Sequence, residues 1–109
     1  MVLNAFFENV ERAGSNVVLE FRPEPMQDML VACLWSRWTG PDGEELLSFA
    51  AITDDPPPEV AAAGHDRCVI PIKPEHLDAW LNPDPANLAA QYAILDDRER
   101  PYYGHRLAA

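Results

Sequence analysis

Basic residues are scarce in this 109-residue chain: Lys73 is its single lysine, seven arginines are the other cations, and 18 acids leave a formal charge of −10. Nonspecific nucleic-acid affinity comes mainly from Lys and Arg neutralising phosphates, so this balance excludes a surface that holds polyanions by bulk charge. Any phosphate would have to be met locally. The only two cysteines, Cys33 and Cys68, both lie inside apolar runs, which suits small buried hydrophobes in a reducing compartment better than a disulfide. There is no glycine-rich phosphate loop, no internal repeat and no low-complexity segment. Nowhere does an apolar stretch approach the ~18 residues that span a bilayer, and Met1-Val2-Leu3-Asn4 has no basic leader. The chain reads as cytoplasmic, with no membrane partner.

Hydrophobic residues are plentiful at 48%, enough for one domain with a modest core that needs neither metal nor disulfide to fold. Leu3 to Glu8 and the β-branched Asn16 to Phe21 flank Ala13-Gly14-Ser15-Asn16, a hairpin pattern. Met29 to Trp35 and Leu46 to Thr53 are joined by Thr39-Gly40-Pro41-Asp42-Gly43, whose Pro, Asp and Gly fit a tight connection. After Pro56-Pro57-Pro58, Glu59 to Ala63 suits one helical turn. Cys68 to Ile72 is a fourth strand, with Pro71 marking an edge or the end of pairing. Pro74 to Leu81 has proline at its first turn, early acids, and Leu77, Trp80 and Leu81 on one face, which predicts a helix. A second short helix is expected from Pro85 to Tyr92, and Asp96 to Arg100 is a charged, solvated stretch. The fold class is therefore α+β: an antiparallel sheet of four to five strands with two or three short helices, a single domain over 1–109 with a polar tail over 96–109.

Gly64-His65-Asp66-Arg67 gathers three ionisable groups at the mouth of the Cys68 strand. Histidine as a residue type titrates near neutrality, so His65 with its charged neighbours could act as a general acid or base; on spacing alone, a solvated strand entrance is the better reading. Glu8 follows two phenylalanines, and apolar surroundings can ready a carboxyl for proton transfer, although an exposed acid at a strand end is the ordinary alternative. His65-x-x-Cys68 has no second ligand pair, so no metal site and no cofactor are expected. Trp35 and Trp38 beside Arg37 could stack single-stranded bases or simply fill a core.

In order, Phe6-Phe7-Glu8, Ala32-Cys33-Leu34-Trp35-Ser36-Arg37-Trp38, Ser48-Phe49-Ala50-Ala51-Ile52-Thr53, His65-Asp66-Arg67 and Pro74-Glu75-His76-Leu77-Asp78-Ala79-Trp80-Leu81 resemble five motifs of the SRAP family, the SOS-response-associated peptidase-like proteins that handle abasic sites in single-stranded DNA. The resemblance covers residues 4 to 81. It implies a fold like that family's and a role in covalent crosslinking to abasic DNA and in autoproteolytic processing. It also implies proton transfer by Glu8, assistance of sugar ring opening by His65, and positions for Thr53 and Arg67 near the DNA groove.

In that family an N-terminal cysteine supplies the thiol and α-amine that close a thiazolidine on the opened sugar. This chain begins Met1-Val2, and Cys68-Val69 stands where the family has Met-Pro. The resemblance thus points to the C-terminal portion of such a domain, unable to crosslink alone, its other half lost or supplied by another chain. Two further readings stand beside it: an acidic module that self-associates through bare strand edges, as a homo-oligomer, and a thiol enzyme using Cys68 beside His65.

Overall fold

Alternating apolar and polar side chains build the longest hairpin. In the computed structural model, which describes residues 1–108, β1 (Val2–Leu3) leads into β2 (Phe6–Arg12), and β3 (Ser15–Glu24) returns antiparallel with Phe6 opposite Phe21 and Arg12 opposite Ser15. Ala13 and Gly14 alone connect them, at φ 51° and 78°. Two successive left-handed residues make the turn whose twist matches the flanking strands. From this hairpin Phe6, Val10, Leu19 and Phe21 enter the core, with Phe6 stacked on Phe21 at 5.2 Å.

β4 (Met29–Leu30) pairs with β1, and β5 (Cys33–Thr39) with β6 (Glu45–Ala51) across the Gly40–Gly43 turn. β7 (Thr53–Asp54) pairs with β8 (Cys68–Val69), enclosing α1 (Pro58–Ala62) between them in sequence. A 3-10 turn at Pro74–His76 runs into α2 (Leu77–Leu81), followed by α3 (Leu88–Asp96) and β9 (Tyr102–Leu107). Among the described residues all strand pairings are antiparallel, distributed over small sheets with three short α-helices. The fold class is α+β.

Three details depart from the sequence reading. Residues 102–107, expected within a polar tail, form β9, paired along β3 from Leu19–Leu107 to Glu24–Tyr102. Tyr103 anchors this strand, buried and edge-on to Phe6 at 5.3 Å; the acids and arginines just before it mask the alternation. The strand expected over Cys68 to Ile72 is a ladder only at Cys68–Val69, continued by isolated bridges at Pro71 and Ile72, because Pro71 has no N–H to donate. The last helix starts at Leu88 rather than Pro85, with the Asn87 side chain accepting the Ala90 N–H at 3.3 Å.

The main core joins Phe6, Leu19, Phe21, Val60, Cys68 and Tyr103, and a smaller one Ala32, Ile70, Ile72 and Ile94. The β5–β6 hairpin touches the main core only at its base, where Ala51 packs against it. Trp35 is 71% and Phe49 69% exposed on one of its faces, and Leu34 is 64% exposed on the other.

Candidate functional site

Strand alternation places Glu8 between Phe6 and Val10 on the inward face of β2, opposite the fully buried Leu19. Packing alone would ask for an apolar residue there. Instead a carboxylate, its side chain 27% exposed, meets His65 at 3.0 Å between Oε2 and Nε2.

His65 reaches that position through the end of α1. Gly64 sits at φ 106°, its N–H donates to the Ala61 carbonyl at 3.0 Å, and the His65 N–H donates to the Val60 carbonyl at 3.3 Å. These two bonds close a Schellman motif. A Cβ on Gly64 would lie 3.6 Å from Val10 Cβ, an ordinary contact, so the left-handed backbone rather than crowding selects glycine. The imidazole, 17% exposed, therefore emerges beside β2.

The other ring nitrogen is also partnered. Nδ1 lies 2.8 Å from the Arg67 carbonyl oxygen and 3.2 Å from the Arg67 backbone nitrogen. These contacts serve two protonation states. As imidazolium, both nitrogens donate, Nε2 to Glu8 and Nδ1 to the carbonyl; as the neutral Nε2–H form, Nδ1 accepts from the Arg67 N–H. Either state is satisfied without the ring turning, which suits a group that holds and releases a proton.

Arg67 closes the arrangement. Its Nε donates to Thr53 Oγ1 at 3.1 Å and its Nη2 to the Thr53 carbonyl at 2.7 Å. Thr53 lies in β7, opposite Val69 of β8. All four residues singled out in the sequence, Glu8, Thr53, His65 and Arg67, thus form one connected set. Beside them Asp54 pairs with Arg98 at 2.8 Å, and that guanidinium, followed by the Asp55 backbone N–H, holds the Asp54 carboxyl below its ordinary range.

Cys68, two residues along from Asp66, is buried. Burial first, then the Glu59 carboxylate, push its thiol up to about 11. A thiolate is disfavoured there, against the reading of a thiol enzyme. Sequence reasoning missed Asp54–Arg98 and a second polar group, in which Asp97 takes Lys73 at 2.7 Å and His76 at 2.8 Å. Nothing local in a run such as Asp96 to Arg100 tells which charges will find partners across the fold. Among the described residues no group of three or more His, Cys, Asp or Glu side chains could hold a metal ion, and no helix is long and apolar enough to cross a membrane.

Comparison with known proteins bears on the family and the fold. The profile of the SOS response associated peptidase (SRAP) family matches residues 1–106. A protein from Bordetella bronchiseptica, solved by X-ray crystallography, superposes with a TM-score of 0.72 at 18% identity, over 100% of this chain and 53% of its own. Another, from Bacteroides thetaiotaomicron, gives 0.69 at 17% identity, over 99% of this chain and 47% of its own. The chain spans about half the length of these two solved structures. No curated protein matches the sequence.

Proposed function

The chain belongs to the SRAP family of SOS response-associated peptidases, and from that premise we propose that it carries the proton-transfer half of a site that processes abasic sugars in single-stranded DNA. The observation that carries the reading is the 3.0 Å contact between Glu8 and His65 at an otherwise inward-facing strand position. Opening the abasic sugar breaks C1′–O4′ and forms the C1′ carbonyl. One proton leaves the C1′ hydroxyl and one arrives at O4′, so the step is an isomerisation with no net proton change. Glu8 as acceptor and the imidazolium of His65 as donor through Nε2 supply both movements; the ring is left as the Nδ1–H form on the Arg67 carbonyl, and the proton returns from Glu8 Oε2 to Nε2 across 3.0 Å. Thr53 and Arg67 lie beside the pair, and Arg67 offers local positive charge to a phosphate in a molecule otherwise poor in it.

Covalent capture of the opened aldehyde needs a thiol and an amine on one carbon frame. Both cysteines of these 109 residues are internal, so the chain alone opens the sugar without crosslinking to it. The test separates the two steps. A single-stranded oligonucleotide with one abasic site is incubated with the chain at low ionic strength and saturating methoxyamine, which traps the open aldehyde as an oxime. The chain should accelerate oxime formation, and His65→Ala or Glu8→Gln should each remove about 10²-fold of that acceleration. Denaturing gels should show no boil-stable protein–DNA band. Trapping no faster than in buffer, or unaffected by His65→Ala, rejects the reading.

A second reading, an acidic module that associates with another polypeptide or with itself, is favoured by the β5–β6 hairpin. It is apolar on both faces, and among the described residues its outer edges carry no strand. Light scattering on the purified chain decides between self-association and a free monomer.

A further inference from the structure

We propose that Arg67 is a positioning residue for His65, acting through Thr53, in addition to any contact with a ligand. The imidazole Nδ1 has its partners in the backbone of Arg67, the carbonyl at 2.8 Å and the N–H at 3.2 Å. The tip of the same residue is tied to β7 by two bonds, Nε to Thr53 Oγ1 at 3.1 Å and Nη2 to the Thr53 carbonyl at 2.7 Å. Fixing the tip of a side chain limits where its own backbone can lie. Fixing that backbone sets the ring that leans on it.

The segment from Gly64 to Arg67 is thereby held at both ends, by the Schellman motif at α1 and by the guanidinium fork at β7. Asp66 and Arg67 are themselves exposed, so core packing does not hold them. A planar fork with several N–H donors can engage a hydroxyl and a carbonyl together, whereas an ammonium presents one point charge. With the fork in place, Nε2 of His65 stays directed at Glu8 in both protonation states. Without it, the ring keeps only the Glu8 contact and turns about its own side-chain torsions.

The inference rests on the proposed reading for its catalytic consequence only, and its test uses no DNA. Diethyl pyrocarbonate acylates neutral imidazole, and mass spectrometry of the digested chain reports His65 separately from His76 and His105. Arg67→Ala should raise the acylation rate at His65 about fivefold, the change expected from one lost hydrogen bond, with His76 unchanged. It should also abolish the NMR cross-peak between the His65 ring and the Glu8 methylenes. Thr53→Val, which removes the hydroxyl and leaves the carbonyl, should give a smaller rise, Arg67→Lys an incomplete rescue, and Thr53→Ser the wild-type rate. An unchanged His65 rate with the cross-peak intact in Arg67→Ala overturns the proposal. Should that variant fail to fold, Thr53→Val replaces it, and an unchanged His65 rate there overturns the proposal equally. A loosened ring in a chain that never opens an abasic sugar would leave the positioning role standing and remove the functional reading alone.

Discussion

Cys68 and Cys33 are alike in sequence, each a thiol within an apolar run, and the fold makes them unlike. Cys68 is buried, and burial with the nearby Glu59 carboxylate pushes its thiol up to about 11. At pH 8 that leaves about a thousandth of it as thiolate, the form that reacts. Cys33 is only partly buried, with Sγ 3.6 Å from the Val31 carbonyl oxygen. Iodoacetamide at pH 8 should therefore alkylate Cys33 first and leave Cys68 unlabelled until urea unfolds the chain; labelling of Cys68 at a rate equal to that of Cys33 would restore the thiol-enzyme reading. Legibility at this scale follows contact distance along the chain. Glu8 stands out as an acid after two phenylalanines and His65 as one of three successive ionisable groups, so the chemistry of each can be read where it stands. That they meet at 3.0 Å depends on β2 and the end of α1 packing together, which no local pattern encodes. Arg67 and Thr53 stand 14 residues apart in the chain, and their bond to one another is invisible in the sequence for the same reason.

Elements are legible where the turn chemistry is local. Gly14 after Ala13 closes a two-residue loop, and Gly64 ends α1 in left-handed backbone, both positions where glycine's freedom is decisive. The β5–β6 hairpin suits a continuous meander by its sequence, yet among the described residues its two strands pair only with each other. Its apolar residues occupy both faces: Trp35, Leu47 and Phe49 on one, Leu34, Trp38 and Leu46 on the other. A strand that alternates marks one buried face; one apolar on both sides marks an element covered on both. An isolated two-stranded hairpin is at best marginally stable in water, and here it borders an apolar groove of about 520 Å³ lined by Leu34, Trp35, Trp80, Leu81, Leu88 and Tyr92. Bare edges flanking such a surface are templates for association. Light scattering across a concentration series should show species larger than a monomer, and Trp35→Ser with Phe49→Ser should return the chain to 12.2 kDa. A monomer at every concentration removes self-association and leaves the hairpin as a surface for a different polypeptide.

For the whole molecule the acid excess sets two opposing responses to pH. Three carboxylates are held below their ordinary range: Glu20 by Arg106 and then Arg22, Asp54 by Arg98, and Asp97 by Lys73 and then His76. In the unfolded chain these groups take up protons near pH 4; in the folded chain they resist until lower pH. The unfolded state then binds more protons, so their stabilising contribution is complete above about pH 5 and is lost as pH falls below about 4. Lowering the pH toward the isoelectric point near 4.5 also discharges the −10 excess and relieves self-repulsion, which acts the other way until that point. Salt separates them, because at about 1 M the Debye length is near 3 Å. Long-range repulsion is then screened, while contacts such as Asp54–Arg98 at 2.8 Å are weakened less. At the alkaline end, Cys68 is raised from 9.0 to about 11 and burial raises the Tyr103 phenol too. The unfolded thiol loses its proton first, so stability declines from about pH 9 upward. Urea midpoints in high salt should therefore form a plateau between about pH 5 and 8 and fall on both sides. Asp54→Asn should shallow the acid limb, and Cys68→Ala the alkaline one. A midpoint that climbs as pH drops below 4 in high salt, where long-range repulsion is screened, would mean that these ion pairs do not set the acid limb of the fold's stability.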